Sequence, residues 1–500
     1  MIRIRPKRFR RARPTDVSAS KARRQAARIG GACLLLASLA GASLAQAQTA
    51  GSAPAKSDSL TWNGITLYGI VDVGLSYETH GAPSNDYFPA GIENIIQKNS
   101  NGSVTAVTPN NLNQSRIGLS GNEPIAGDWA GVFRVETYFN PQSGDISDAL
   151  KSLTQNNGRS AVNQTTNVDS SIAGQLFGVA YAGFSSPTVG SFTFGRQLTT
   201  LADGISKYDP LYASNAFSLI GFSGTTAGGG VTEDRRLDQA VKYVGNYDWA
   251  HVGALYQFGG STGSTNTAYQ FSVGGEFAGL SVDAYYAKKY DAVAVSALSG
   301  AQVGELTATG TPPVLGSLAG SGLTVSNSLS GTVSDNTTYG LMGLYAIEGW
   351  KFFGGYEHIT FADPSNPYSA GQDIIGGYKL AFVNVQTGPK STYANEKVLQ
   401  VYWAGLRYAV TSQFELAASY YGYKQNSYAT GANAGCSSAL IAGSCSGTES
   451  AVGLLADYHF SKRFDGYIGG LWTSVAGGLA NGYDLNTSTV STTLGVRFKF

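Results

Sequence analysis

One stretch of this sequence has the spacing of a nucleophilic site. Gly259-Gly260-Ser261-Thr262-Gly263 fits the Gly-x-Ser-x-Gly pattern, in which a strained strand-to-helix turn presents a reactive serine. Here the pentapeptide is a Gly/Ser-rich connection between two strand-like segments, so the turn that would activate Ser261 is missing and no catalytic residue is expected. His80, His251, His358 and His459 are scattered and share no ligand spacing, so no metal and no cofactor is expected. Cys436 and Cys445 have eight residues between them in a Gly/Ser/Ala-rich segment. That spacing rules out a CxxC redox pair or a zinc knuckle. It fits a loop disulfide in an oxidising compartment, with two free thiols as the alternative.

What remains for function is the arrangement of charges. Charged residues make up only 13% of the chain, about half the usual globular share, while Gly reaches 65 of 500. Residues 1–47 read as a cleaved signal peptide. Eleven Arg and Lys lie between Arg3 and Arg28 with one acid, Asp16; an apolar run from Ile29 to Leu44 follows, then Ala45-Gln46-Ala47. Residues 48–64 form a lead-in. Without the leader, 23 basic and 32 acidic residues remain, so the formal charge is about −9 rather than +1, which removes the case for nucleic-acid binding. No segment after the leader has 18 consecutive apolar residues, so no helical membrane span is expected.

The elements that must position these charges are strands. In Ile65–Thr79, Leu67, Val71, Val73, Leu75 and Tyr77 alternate with Tyr68, Asp72, Ser76 and Glu78. In Trp129–Phe139, Phe133 and Val135 alternate with Arg134, Glu136 and Tyr138. At the end, Leu494, Val496, Phe498 and Phe500 alternate with Thr493, Arg497 and Lys499. Period two gives each strand an apolar and a polar face. Sixteen such strands are expected near 65–79, 113–122, 128–140, 173–185, 188–197, 235–247, 249–258, 269–277, 279–290, 336–348, 350–362, 396–410, 412–425, 448–460, 464–475 and 487–500. Short turns such as Phe277-Ala278-Gly279 alternate with long loops at 80–112, 141–172, 198–234, 291–335, 363–395 and 426–447, a pattern of transmembrane barrels. The expected fold is all-β: residues 65–500 form a transmembrane antiparallel β-barrel of 16 strands, with short periplasmic turns and long extracellular loops. Sixteen strands enclose a lumen too wide for side chains to fill. The last strand must pair with the first, because an open edge in lipid is too costly.

Leu67-Tyr68-Gly69-Ile70-Val71-Asp72, Ser115-Arg116-Ile117-Gly118-Leu119, Gly195-Arg196-Gln197, Tyr356-Glu357-His358-Ile359 and Leu494–Phe500 together resemble the trimeric general porins of Gram-negative outer membranes, the β-proteobacterial branch above all. The resemblance covers essentially the whole mature chain. Two positions depart from the family: Gly178-Val179 stands where a basic residue usually opens the fourth strand, and Lys499 where His or Arg usually precedes the terminal Phe.

The resemblance implies a cell outer-membrane location, a homotrimer, contact with membrane lipid and lipopolysaccharide, and insertion by the barrel-assembly machinery, which reads Phe500 as an assembly signal. It also implies a third loop folded into the lumen, whose acids face basic residues on the wall. The basic candidates are Arg116, Arg134, Arg196, Arg236 and Lys242; the acidic ones are Asp203, Asp209, Glu233 and Asp234. Tyr68 and Asp72 are further lumen candidates. The function implied is passive diffusion of small hydrophilic solutes and ions, with selectivity set by pore width and lining charge. A substrate-preferring channel, a barrel enzyme and an adhesin are the other readings.

Overall fold

Outward exposed and inward buried side chains alternate along the wall strands, and this alternation builds the molecule. The structure is a computed structural model that describes residues 60–80, 103–142, 144, 176–220, 236–259, 267–295, 324, 326, 331–365, 393–480 and 486–500. The expected leader and most of the lead-in lie outside the described residues.

The wall strands are β1 (Ile65–Glu78), β2a (Val104–Pro109) continued by β2b (Arg116–Ala126), β3 (Trp129–Tyr138), β4 (Val179–Ser186), β5 (Gly190–Leu198), β6 (Arg236–Tyr247), β7 (Ala250–Gln257) and β8 (Ala268–Phe277). They continue with β9 (Leu280–Val295), β10 (Gly331–Ile347), β11 (Trp350–Ala362), β12 (Lys397–Ala409), β13 (Phe414–Gln425), β14 (Gly447–His459), β15 (Phe464–Gly477) and β16 (Ser488–Lys499). A two-residue strand, Thr61–Trp62, folds back on the start of β1. Each wall strand pairs antiparallel with the next, and β16 pairs with β1 from Ser491↔Glu78 to Lys499↔Ile70. With β2a and β2b counted as one broken strand, sixteen strands close the barrel as expected.

Exposure separates the two faces. On β16, Val496 and Phe498 are 42% and 43% exposed while Arg497 between them is 6% exposed. The apolar residues therefore look outward and the polar ones into the lumen.

The structure corrects the strand reading in three places. The first long loop contains β2a, so the second strand reaches further than 113–122. Its break at 110–115 is built by Asp72, whose carboxylate accepts the N–H groups of Asn111 (3.2 Å), Leu112 (3.1 Å) and Asn113 (2.8 Å). β4 starts at Val179 rather than near 173, with Leu176 and Phe177 exposed and unpaired before it. β9 and β10 run on to Val295 and back from Gly331, with a register shift between Lys289 and Ala292.

The lumen is not polar all round. Leu201, Ile205, Tyr208, Leu211, Phe217, Leu219 and Ile220 of the third loop pack on inward residues of the far wall, among them Ile359, Val401, Trp403, Tyr421, Leu455 and Leu471. Burying each such side chain is worth roughly 1.5–3 kcal/mol. The loop is thus seated by a hydrophobic core inside the barrel.

Candidate functional site

The third loop begins with a helix, α1 (Thr200–Tyr208). The Thr199 hydroxyl caps it, accepting from Ala202 N at 3.0 Å, and Asp203 in the first turn and Lys207 in the last suit the helix dipole. The helix lies against β7–β11. Gly204 lets it approach the wall: a Cβ there would stand 2.6 Å from the Tyr285 ring. Gln270 of β8 accepts from the Thr200 N–H at 2.8 Å and its hydroxyl at 2.7 Å.

Beyond the helix the loop crosses β12–β15. Arg407 donates to the carbonyls of Pro210 (2.6 Å) and Asp209 (2.7 Å), with its guanidinium stacked 3.5 Å from the centre of the Tyr212 ring. The loop then reaches the break in the second strand, where Ala216 N donates to Asn111 O at 2.9 Å and Asn215 Nδ2 to Asn110 O at 2.9 Å. Asp72 is therefore not an open pore-lining group. It is fully buried, shapes the turn that receives the loop, and accepts from Tyr467 Oη of β15 at 2.5 Å.

The wall from β2 to β6 carries the basic candidates. Their centre is Glu136, 1% exposed. It accepts from Arg134 Nη2 at 2.6 Å and Tyr68 Oη at 3.0 Å, also from Tyr138 Oη, and Arg116 Nε stands 3.5 Å away. Arg134 Nε donates to Tyr68 Oη at 2.7 Å. Arg236 joins through Tyr138, donating to its hydroxyl at 2.5 Å with the guanidinium 4.4 Å from the ring centre. Arg116, Arg134 and Arg236 thus form one cluster around a single carboxylate.

Lys242 stands apart from that cluster. Its ammonium pairs with Asp203 of α1 and donates to Leu198 O at 2.9 Å. Asp203, with its side chain about half exposed, is the candidate acid that reaches the lumen. It does so in direct contact with a wall base rather than across water.

Two candidates lie elsewhere. Asp209 is fully buried: Ala213 N and Tyr421 Oη each donate to it at 2.6 Å. Burial pushes its carboxyl above the usual range, and the Tyr421 hydrogen bond offsets only part of that. It caps the C-terminus of α1 and clasps the loop to the wall, so it is not an open constriction acid. Arg196 is cross-strand partner to Ala180 and shares its side of the sheet with Phe194, which is half exposed. Arg196 itself is only 8% exposed, and it sits where the β5–β6 register shifts between Gly195 (φ +133°) and Gln197. There it pairs with Asp238 and donates to Gly178 O at 3.2 Å, away from the Glu136 contacts. Glu233 and Asp234 lie outside the described residues, as does most of the Gly-x-Ser-x-Gly stretch.

The sulfurs of Cys436 and Cys445 are bonded, with Cα atoms 4.8 Å apart. Asp457, His459 and Asp465 come together as metal ligands could. Arg497 and Lys499 already sit on Asp465 at 2.9 and 2.8 Å, so resident cations balance that cluster.

Sequence reasoning missed the place of Glu136 at the centre of the arginine cluster, although it lies two residues from Arg134 on the same face.

A closed barrel with an inward loop is the geometry against which known proteins can be compared. A family model described as Gram-negative porin matches residues 32–474. The chain belongs to that family. This porin is 27% identical over 408 residues to an outer membrane porin protein of Bordetella pertussis, covering 72% of this chain and 89% of that one. In structure it resembles in-vitro folded OmpT, an outer membrane protein of Vibrio cholerae, with TM-score 0.52 at 15% identity over 89% of this chain and 100% of that one. The trimer form of OmpT gives 0.50 at 16% identity, over 87% and 99%. The family, the fold and the homologue place this porin in the outer membrane as a channel.

Proposed function

We propose that the porin passes small hydrophilic solutes by passive diffusion through each barrel of a homotrimer, without enzymatic chemistry and with a weak preference for anions. The observation that carries the ion preference is the Glu136 cluster. Two arginines stand on one carboxylate and a third reaches it through Tyr138, while the exposed loop acid Asp203 is balanced by Lys242. The described constriction groups therefore sum to a positive charge. Charges at a narrow, low-dielectric constriction weigh far more on a passing ion than acids on outer loops, so the overall charge of the mature chain does not decide the preference. The trimer form of one structural relative supports the assembly.

The test is the reversal potential of purified protein in a planar bilayer under a salt gradient. Anion preference sets its sign, and a cation-selective value would overturn the reading. General diffusion predicts that neutral solutes lower the ionic current in proportion to their size. Tight, saturable block by one sugar, amino acid or anion would favour a substrate-preferring channel.

A further inference from the structure

The apolar face of α1 is held by close packing, but its charged face is not. On that side a cavity of about 410 Å³ lies between the helix and the ends of β6–β9, lined among others by Asp203, Lys207, Trp249, His251 and Glu276. Close packing fixes the apolar face, so small rotations of α1 about that seat are limited on the open side by polar contacts alone.

The holding group is Asp283 of β9, whose side chain is 3% exposed. One oxygen accepts from Tyr208 Oη and stands 3.4 Å from Lys207 Nζ; the other meets His251 Nε2. Tyr208 Oη also shares a hydrogen bond with Ser281 Oγ at 2.8 Å, and Lys207 reaches Glu276 at 2.8 Å. Lys207 lies one turn after Asp203 on the same helix face. Any rotation that breaks the hold on Lys207 and Tyr208 therefore also carries Asp203 away from Lys242.

We propose that Asp283 is a positioning residue for permeation: it sets the rotation of α1, and so places Asp203 at the constriction. The proposal rests on the porin reading and adds a residue to it. Asp283 acts through Tyr208 and Lys207, and its own buried carboxylate is not offered to solute.

The experiment uses the full-length protein in planar bilayers with Tyr208→Phe, Asp283→Asn and Asp203→Asn. Tyr208→Phe changes no charge. Losing a hydrogen bond to a charged group should raise the occupancy of altered current levels about tenfold. The reversal potential should shift in the direction given by Asp203→Asn. Asp283→Asn should reproduce both effects, and Asp203→Asn should shift the potential without adding substates. If Asp283→Asn fails to insert, Tyr208→Phe carries the test alone. Wild-type current levels and reversal potential in Tyr208→Phe would overturn the proposal, even if Asp283→Asn shifted the potential through its lost charge. A wild-type protein that formed no channel would overturn the conducting reading as well.

Discussion

The ring of Phe500 lies on the bare Cα of Gly69. A Cβ at Gly69 would stand 2.3 Å from Phe500 Cζ and 2.7 Å from the carbonyl oxygen of Arg116. The two backbones also exchange hydrogen bonds, Gly69 N to Phe500 O at 3.0 Å and Phe500 N to Gly69 O at 3.1 Å. The final residue thus completes the β16–β1 closure, and the glycine opposite provides its room. Gly69→Val should cut the yield of folded, heat-resistant barrel several-fold, as should deletion of Phe500. Channels that do insert should conduct as wild type. Full yield of Gly69→Val by electrophoretic mobility of unheated samples would count against this closure.

Glu136 is the acid that offsets the arginine cluster. Glu136→Gln should move the reversal potential toward anions, and Arg116→Glu should move it toward cations. Because Glu136 is buried among its partners, its loss should also cost about 2–3 kcal/mol of stability, measured by urea unfolding in detergent. An unchanged potential in Arg116→Glu would remove Arg116 from the constriction.

Asp209 gives a pH dependence of defined sign. Burial holds its carboxyl above the ordinary range, so the folded state binds the proton more tightly than the unfolded one. Its contribution to stability is complete below the unfolded carboxylate value and is lost as pH rises through the raised native value. Asp209→Asn should flatten that slope and cost about 1–2 kcal/mol through imperfect hydrogen bonding to Tyr421 and Ala213. Unfolding midpoints across mildly acidic pH test it; a slope unchanged in the variant would assign the dependence elsewhere.

The loop at 426–446 contains no charged residue and is closed by the Cys436–Cys445 bond. The bonded cysteines should resist alkylation until the protein is reduced. Reduction should loosen this loop locally, by about 2 kcal/mol for so short a ring, and leave the strand content by circular dichroism unchanged. Alkylation without reductant would show free thiols.

The barrel was legible because alternation is local: β16 and β1 can be recognised one strand at a time, and closure follows from the cost of a bare edge. Arg134 was placed by the same rule, and Arg116 by the resemblance of Ser115-Arg116-Ile117-Gly118 to the family. Arg196 escaped the alternation, because the β5–β6 register shifts beside it and Gly195 takes a φ of +133°. Asp209 and Asp72 were misjudged for a different reason. An acid on a loop or on a lumen-facing position looks solvated in sequence, and only the packing of distant Tyr421 or Tyr467 shows it to be enclosed. The apolar inward residues of β11–β15 were unreadable as a loop seat, because the residues that cover them, Leu211 to Ile220, lie some 140 or more positions earlier in the chain.

That separation orders events in time. The seat of the third loop draws on Asp72 in β1, the break between β2a and β2b, Asp283 in β9, Arg407 in β12 and Tyr467 in β15. No stretch shorter than residues 72–467 contains all of these anchors, so the sieve cannot be finished on a small part of the sheet. A nascent barrel would carry a greasy inner stripe and an untethered loop until its two ends met, and only the completed ring would acquire a size limit for what it admits.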